Sequence, residues 1–267
     1  VTVTTAGGTS APFSRTFADL VGTAASGTPA NAGEASANVN QTVTIVGSGL
    51  STSTGILTQW INGGGVVQSR LINPNFANED GTQATFVVPN FYNSAFDVHI
   101  VAAADAHVLQ IVPEVDSVDV RTNNSSARIR GRGLVEGNNS EYAFDGGSVI
   151  DSSVSSGANV YRGLVHENDT ADLTLPVHGF GDLVITTPGG SSAPRTTNFL
   201  NPGLGQLNDV AFDSTNTEVI VTNGSQFHRV DPANGQTIAS LAMPDGSTDD
   251  VGLQILPSAM MLAGESV

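Results

Sequence analysis

The chain has 267 residues, 39% of them apolar and 13% charged, with a formal net charge of −16. That length holds two or three ordinary domains, and the apolar share can fill their cores rather than leave the chain disordered. All nine basic residues are arginine, against 25 acidic ones, and cysteine is absent; this argues against nucleic acid or an anionic membrane surface as partner and excludes disulfides, thiolate metal sites and cysteine nucleophiles.

Val, Ile and Thr are frequent, and 30 Gly and 12 Pro punctuate them, so strands are expected rather than helices. Cysteine-free, acidic modules rich in Asn, Thr, Ser and Gly suit long exported proteins, which must avoid mispairing in an oxidising space, so an extracellular or cell-surface location is expected. Residues 1–30 hold no charged start followed by an apolar run, and with Val1 first the start reads as processed or truncated. The longest apolar run, Leu253 to Gly264, is broken by Gln254, Pro257 and Ser258 and is too short to insert across a membrane.

In chain order, TTAGGTSAP (Thr4 to Pro12) comes first and returns as TTPGGSSAP (Thr186 to Pro194), an offset of 186 − 4 = 182. In both copies an apolar lead-in reaches a Gly-Gly turn, then Ser-Ala-Pro, then a phenylalanine (Phe17, Phe199). Residues 1–17 therefore read as the closing strand of a preceding module. Residues 18–40 carry little periodicity and read as a linker or the weakly patterned first strand of the next module. TVTIVGSGL (Thr42 to Leu50) then matches SARIRGRGL (Ser126 to Leu134), with Val43 and Ile45 on one face of the first strand and Ala127 and Ile129 on one face of the second. ATFVVP (Ala84 to Pro89) matches ADLTLP (Ala171 to Pro176), and between these landmarks WINGGG (Trp60 to Gly65) and YAFDGG (Tyr142 to Gly147) are aromatic strands entering glycine turns. Two such modules in succession, 18–112 and 113–200, predict tandem β-sandwiches.

The order strand-GxGL, strand-GG, strand-Pro, strand-TTxGGxS resembles that of IPT/TIG domains, immunoglobulin-like modules of bacterial surface proteins and some receptors and transcription factors. Residues 113–199 carry the whole pattern; the first module has VAAADAH (Val101 to His107) where the closing TTxGG would stand. The resemblance implies an immunoglobulin-like fold and says little of function.

After Phe199 the pattern changes. LNDVAFD (Leu207 to Asp213) recurs as TDDVGLQ (Thr248 to Gln254) and EVIVTNG (Glu218 to Gly224) as AMMLAGE (Ala259 to Glu265), both at an offset of 248 − 207 = 41. Four short strands in that length match a propeller blade. With an aspartate before the first strand and DPANG between the third and fourth, residues 201–267 resemble an incomplete stretch of a YVTN or NHL propeller. The fold class expected is thus all-β: tandem immunoglobulin-like β-sandwiches followed by one to one-and-a-half propeller-like blades.

Motifs for chemistry are sparse. Gly47-Ser48-Gly49 and Gly131-Arg132-Gly133 follow strands but lack the helix start and spacing of a dinucleotide site, so they read as turns. The histidines (His99, His107, His166, His178, His228) form no metal pair at helical spacing, and neither HExxH nor GxSxG occurs. Catalytic residues are not expected. Three acidic turns, NEDGT (Asn78 to Thr82), HENDTAD (His166 to Asp172) and DGSTDD (Asp245 to Asp250), offer the oxygens that Ca²⁺ takes and equally fit ordinary turn chemistry. Asp245, Asp249 and Asp250 are the candidate calcium ligands, and Ca²⁺ is the only cofactor considered.

Three readings remain open. The chain is a non-catalytic structural or adhesive part of a surface protein, with neighbouring modules, copies of itself, glycans or other surface proteins as partners. Or it is a filament subunit joined by strand addition through residues 1–17. Or it is an accessory glycan-binding part of a carbohydrate-active enzyme.

Overall fold

Short β-branched segments separated by glycine, asparagine and proline turns fold here as antiparallel meanders and sandwiches. A computed structural model of the chain describes residues 2–10, 14–120, 126–163, 165–177, 180–200, 203–204, 207, 209–233, 235–242, 251–256 and 259–264. Every regular element among them is a strand, in several sheets with no closed barrel, and among the described residues no helix is long and apolar enough to cross a membrane.

β1 (Thr4–Thr5) and β2 (Gly8–Thr9) form a small hairpin. The strands that follow are β3 (Thr16–Val21), β4 (Thr28–Pro29), β5 (Ala35–Ala37), β6 (Thr42–Ser48), β7 (Ile56–Ile61), β8 (Val67–Ile72), β9 (Phe76–Ala77), β10 (Gln83–Val87), β11 (Ala95–Ile100) and β12 (Ala106–Ile111). They pair as β3-β6-β10-β9 and β5-β12-β11-β7-β8, with β4 joining a later sheet. Val43 and Ile45 point inward as their alternation requires and share one core with Ile56, Val98, Ile100, Leu109 and Ile111 of the facing sheet. Residues 18–40 are not a linker: β3 pairs with β6, and β5 pairs in parallel with β12 and buries Ala35 and Ala37. Phe17 is 1% exposed in this core, so the sandwich begins at Thr16 rather than at 18, and residues 16 and 17 belong to it rather than to a preceding module. The VAAADAH segment turns through Ala102, with φ of 70°, into β12.

The second sandwich contains β13 (Glu114–Val120), β14 (Ser126–Arg132), β15 (Ser140–Phe144), β16 (Gly147–Asp151), β17 (Ala158–Tyr161), β18 (Thr170–Thr174), β19 (Phe180–Thr187), β20 (Gly190–Ser191) and β21 (Arg195–Leu200). Its sheets run β13-β14-β18-β17 and β16-β15-β19-β20-β4, with β21 also on β19. Ala127, Ile129, Tyr142, Val160, Leu183 and Ile185 fill the core. The alternate residues of β14 point outward, where Arg128 pairs with Asp172, Arg130 with Asp119, and Arg132 with Asp116 and Glu114. The two Gly-x-Gly-Leu stretches occupy equivalent places. A Cβ on Gly47 would lie 2.0 Å from the Thr16 carbonyl oxygen and one on Gly131 2.2 Å from that of Glu114, each beside a bulge where the first strand crosses. The glycines serve backbone crossing.

β22 (Asp209–Asp213), β23 (Glu218–Thr222), β24 (Gln226–Val230) and β25 (Thr237–Ala242) pair in sequence order as a four-stranded meander, and β26 (Val251–Leu256) and β27 (Ala259–Gly264) form a hairpin whose first strand lies beside β22. Val210, Phe212 and Leu241 remain exposed on the meander.

Candidate binding site at the junction of the two sandwiches

The TTPGGSSAP repeat sits where the sandwiches meet. β19 and β20 form its hairpin, with Thr186 opposite Ser191 and Thr187 opposite Gly190. Its outer strand then pairs with β4 of the first module, Gly190 with Pro29 and Ser191 with Thr28. The approach is close enough to require glycine. A Cβ on Gly189 would lie 2.1 Å from the Ile111 carbonyl oxygen and 2.6 Å from that of Ser94, and one on Gly190, with φ of 132°, 2.3 Å from that of Thr28. A sheet of the second sandwich thus takes β4, a two-residue segment of the first module, as its edge strand.

Buried asparagines tie the same boundary. Asn93 is wholly buried; its Nδ2 donates to the carbonyls of Ile61 (2.9 Å) and Leu134 (2.7 Å), and its Oδ1 accepts from Ile61 N (2.9 Å). Asn168 donates to the same Ile61 carbonyl. Asn38 donates to the Val112 carbonyl at 3.0 Å, where one module passes into the next. Each bond satisfies a backbone group that docking would otherwise strand away from water.

Trp60, the sole tryptophan, stands at the end of β7 against this boundary. Its ring lies 6.0 Å from Tyr92, near parallel, and 4.8 Å from Phe91, edge-on, while its Nε1 donates to Glu167 of the second module at 3.2 Å. Cavities open on two sides of it. The larger, of about 530 Å³, is lined by Gln59, Trp60, Phe96, Glu136, Asn138 and Ser152 among others. The smaller, of about 320 Å³, includes Arg70, Phe91, Arg162 and His166, with the Arg70 guanidinium 5.6 Å from the Phe91 centroid and Asn90 hydrogen-bonded to His166.

Behind the larger cavity lies a buried acidic group. Glu136 is 2% exposed; its Oε2 accepts the Val160 amide, and its Oε1 has no hydrogen-bond partner. Asp151, fully buried, accepts the Gly137 amide at 2.8 Å. Burial raises both carboxyls, and with Glu136 nearby Asp151 is pushed up to about 6. Burial first, and then these two acids, also raise the Tyr142 hydroxyl. The aromatic ring, side-chain amides and Ser152 hydroxyl that line the cavity can accept from and donate to a polar, uncharged ligand.

The anticipated site residues fare differently. Asp245, Asp249 and Asp250 lie outside the described residues, as does His178. In HENDTAD, burial opposes ionisation of Asp169, but the amides of His166, Val165 and Gly163 and the Thr170 hydroxyl hold its carboxyl far below the usual range. In NEDGT, Asp80 accepts from the hydroxyl and amide of Thr82. These two turns therefore use their carboxylates to fix their own backbone. No cluster of three or more His, Cys, Asp or Glu suited to a metal occurs among the described residues. His107 packs edge-on against Phe17 at 4.5 Å, and the buried His228 shares a hydrogen bond with Ser240. Asn93, Glu136 and Asp151 carried no sequence signal, for in an Asn-rich acidic chain their residue types are unremarkable.

No family model and no curated protein matches the chain. Among solved structures it is similar to SGBP-B from a complex xyloglucan utilization locus in Bacteroides uniformis, at 14% identity and a TM-score of 0.29, over 80% of this chain and 55% of that one. An auxiliary nutrient binding protein from Bacteroides ovatus matches at 13% and 0.20, over 84% and 60%. A protein of unknown function from Bacteroides thetaiotaomicron matches at 13% and 0.20, over 82% and 62%. The chain spans less than two thirds of each, and at these TM-scores the likeness carries no inference about fold or activity.

Proposed function

We propose that this chain is a non-catalytic structural and display segment of an extracellular or cell-surface protein. In this reading two immunoglobulin-like sandwiches of the IPT/TIG kind form a rigid spacer, and the blade-like meander continues it. The observation that supports it is the seated Gly189-Gly190 hairpin, which pairs with β4 and packs against the carbonyls of Ile111 and Ser94 in the first module. Ordinary flexible linkage needs no glycine pressed between the carbonyls of Ile111 and Ser94, and no buried Asn93 spanning the boundary. The test is the relative orientation of the two sandwiches in solution, from residual dipolar couplings. One alignment tensor common to both is expected; two independent tensors would refute the spacer.

The larger cavity favours a second reading, as an accessory sugar-binding segment. A half-buried indole with the flanking amides of Gln59, Asn138 and Asn139 and the Ser152 hydroxyl suits a neutral, polyhydroxylated ring. Trp60, as the sole tryptophan, reports on it directly. Neutral oligosaccharides should produce a saturable change in its emission, weakened in a variant carrying Asn138→Ala and Ser152→Ala. No change at concentrations up to about 10 mM, the weak end of specific binding, would eliminate this reading.

A further inference from the structure

The hairpin of residues 3–10 reproduces the seated hairpin bond for bond. Thr4 stands opposite Thr9 and Thr5 opposite Gly8, as Thr186 opposes Ser191 and Thr187 opposes Gly190. Gly8 has φ of 130°, Gly190 of 132°. The Gly7 amide donates to the Thr5 hydroxyl at 3.2 Å, and the Gly189 amide to the Thr187 hydroxyl at 3.2 Å. Val3 N donates to Ser10 Oγ at 3.0 Å, and Ile185 N to Ser192 Oγ at 3.0 Å. The hydroxyls of Thr4 and Thr9 meet at 3.0 Å, those of Thr186 and Ser191 at 2.9 Å.

Their surroundings are opposite. Residues 2–10 are all exposed, and β1 and β2 pair only with each other among the described strands. A Cβ on Gly8 would meet nothing within 4 Å, whereas one on Gly190 would strike the Thr28 carbonyl oxygen. The φ of Gly8 meets a hairpin turn's own demand for glycine, but Gly7, like Gly189, has no positive φ, so backbone conformation does not call for glycine there. Glycine is needed at that position where another backbone comes close, as the Ile111 and Ser94 carbonyls do at Gly189.

We infer that the hairpin of residues 3–10 is a second docking element of the kind seated at the junction, and that its partner is another sandwich of the type formed by residues 16–112. The acceptor consists of an edge segment like Gly27-Thr28-Pro29 and carbonyls placed like those of Ser94 and Ile111. Within one chain that acceptor is filled by Gly189 and Gly190, so this hairpin must seek it on a different module. This rests on reading the seated hairpin as the contact that fixes module orientation. It corrects the strand-addition idea in one respect: recognition runs through a preformed hairpin, while the strand from Thr16 is committed to its own sheet.

Two experiments on the full chain test it. Pro188→Ala with Ser191→Thr rewrites the seated hairpin as residues 4–12. Retention of the single module orientation, with melting within about 2 °C of the parent, is expected; loss of the orientation would show that the first copy does not fit the acceptor and would overturn the inference. In the second, the acceptor is vacated with Gly189→Ala and Gly190→Val, and cysteines are placed by Thr9→Cys and Thr28→Cys. Ser191, the counterpart of Thr9, opposes Thr28, a spacing that a disulfide can bridge, and the chain has no other cysteine. Oxidation should give intermolecular disulfide ladders at least about tenfold above a control bearing Thr9→Cys and Thr52→Cys. The ladders should vanish when the glycines are restored. Ladders equal in all three proteins, or absent from the vacated one, would overturn the inference. If the vacated variant does not fold, the rewritten hairpin decides. Failure of the spacer reading is distinguishable, since it would show as independent tensors in the unmodified chain.

Discussion

Gly189→Ala separates packing from backbone conformation at the junction. Gly189 does not occupy the left-handed region, so alanine is conformationally acceptable there. Its added carbon would nevertheless lie 2.1 Å and 2.6 Å from two backbone carbonyl oxygens that cannot rotate away. Overpacking of this sort costs about 1–3 kcal/mol, and the reduced freedom of the unfolded chain offsets about 0.4–1 kcal/mol of it. The net loss of about 1–2 kcal/mol should lower the melting temperature of the sandwich pair by roughly 3–8 °C, or split the transition in two if the hairpin leaves its place. Gly7→Ala makes the same chemical change in the exposed copy, where only the Thr5 hydroxyl lies within reach, at 3.7 Å. It should leave melting unchanged within about 1 °C. Differential scanning calorimetry of the two variants beside the parent decides the matter. Equal melting temperatures would refute the claim that close approach at Gly189 holds the modules together.

Asn93→Ala should cost roughly 2–3 kcal/mol in urea unfolding, since it strands the buried polar groups of Ile61 and Leu134; a loss below about 0.5 kcal/mol would mean that water replaces the side chain. Asp151 keeps its proton in the folded state to about pH 6, whereas an unfolded aspartate loses it near about 3.9. The folded state therefore binds more protons in that window, and stability falls as pH rises through it. Asp151→Asn should remove this fall, leaving the variant more stable than the parent by roughly 2 kcal/mol at about pH 8 and equal to it below about pH 4; parallel stability profiles would refute a buried, proton-holding Asp151.

The sequence by itself determined that the chain is all-β, and where many of its strands run. Val43 with Ile45 and Ala127 with Ile129 alternate at the strand period, so one look at neighbouring residues reveals which face is buried. The Gly-x-Gly-Leu turns were legible for the same reason: a bulge and a tight turn are local demands on the backbone. Ala35 and Ala37 escaped notice because small residues in a short strand give no hydrophobic period, and their burial depends on β12 lying alongside. Only the tertiary structure decided what TTPGGSSAP is for. Its letters specify a hairpin, and the hairpin forms alike in both copies; whether its glycines face solvent or the carbonyls of Thr28, Ser94 and Ile111 depends on what another module brings to them. The same holds for Asn93 and Glu136, whose chemistry arises from burial by segments distant in the chain. Short-range patterns record the demands of a strand or turn, while contacts between modules leave no period to read.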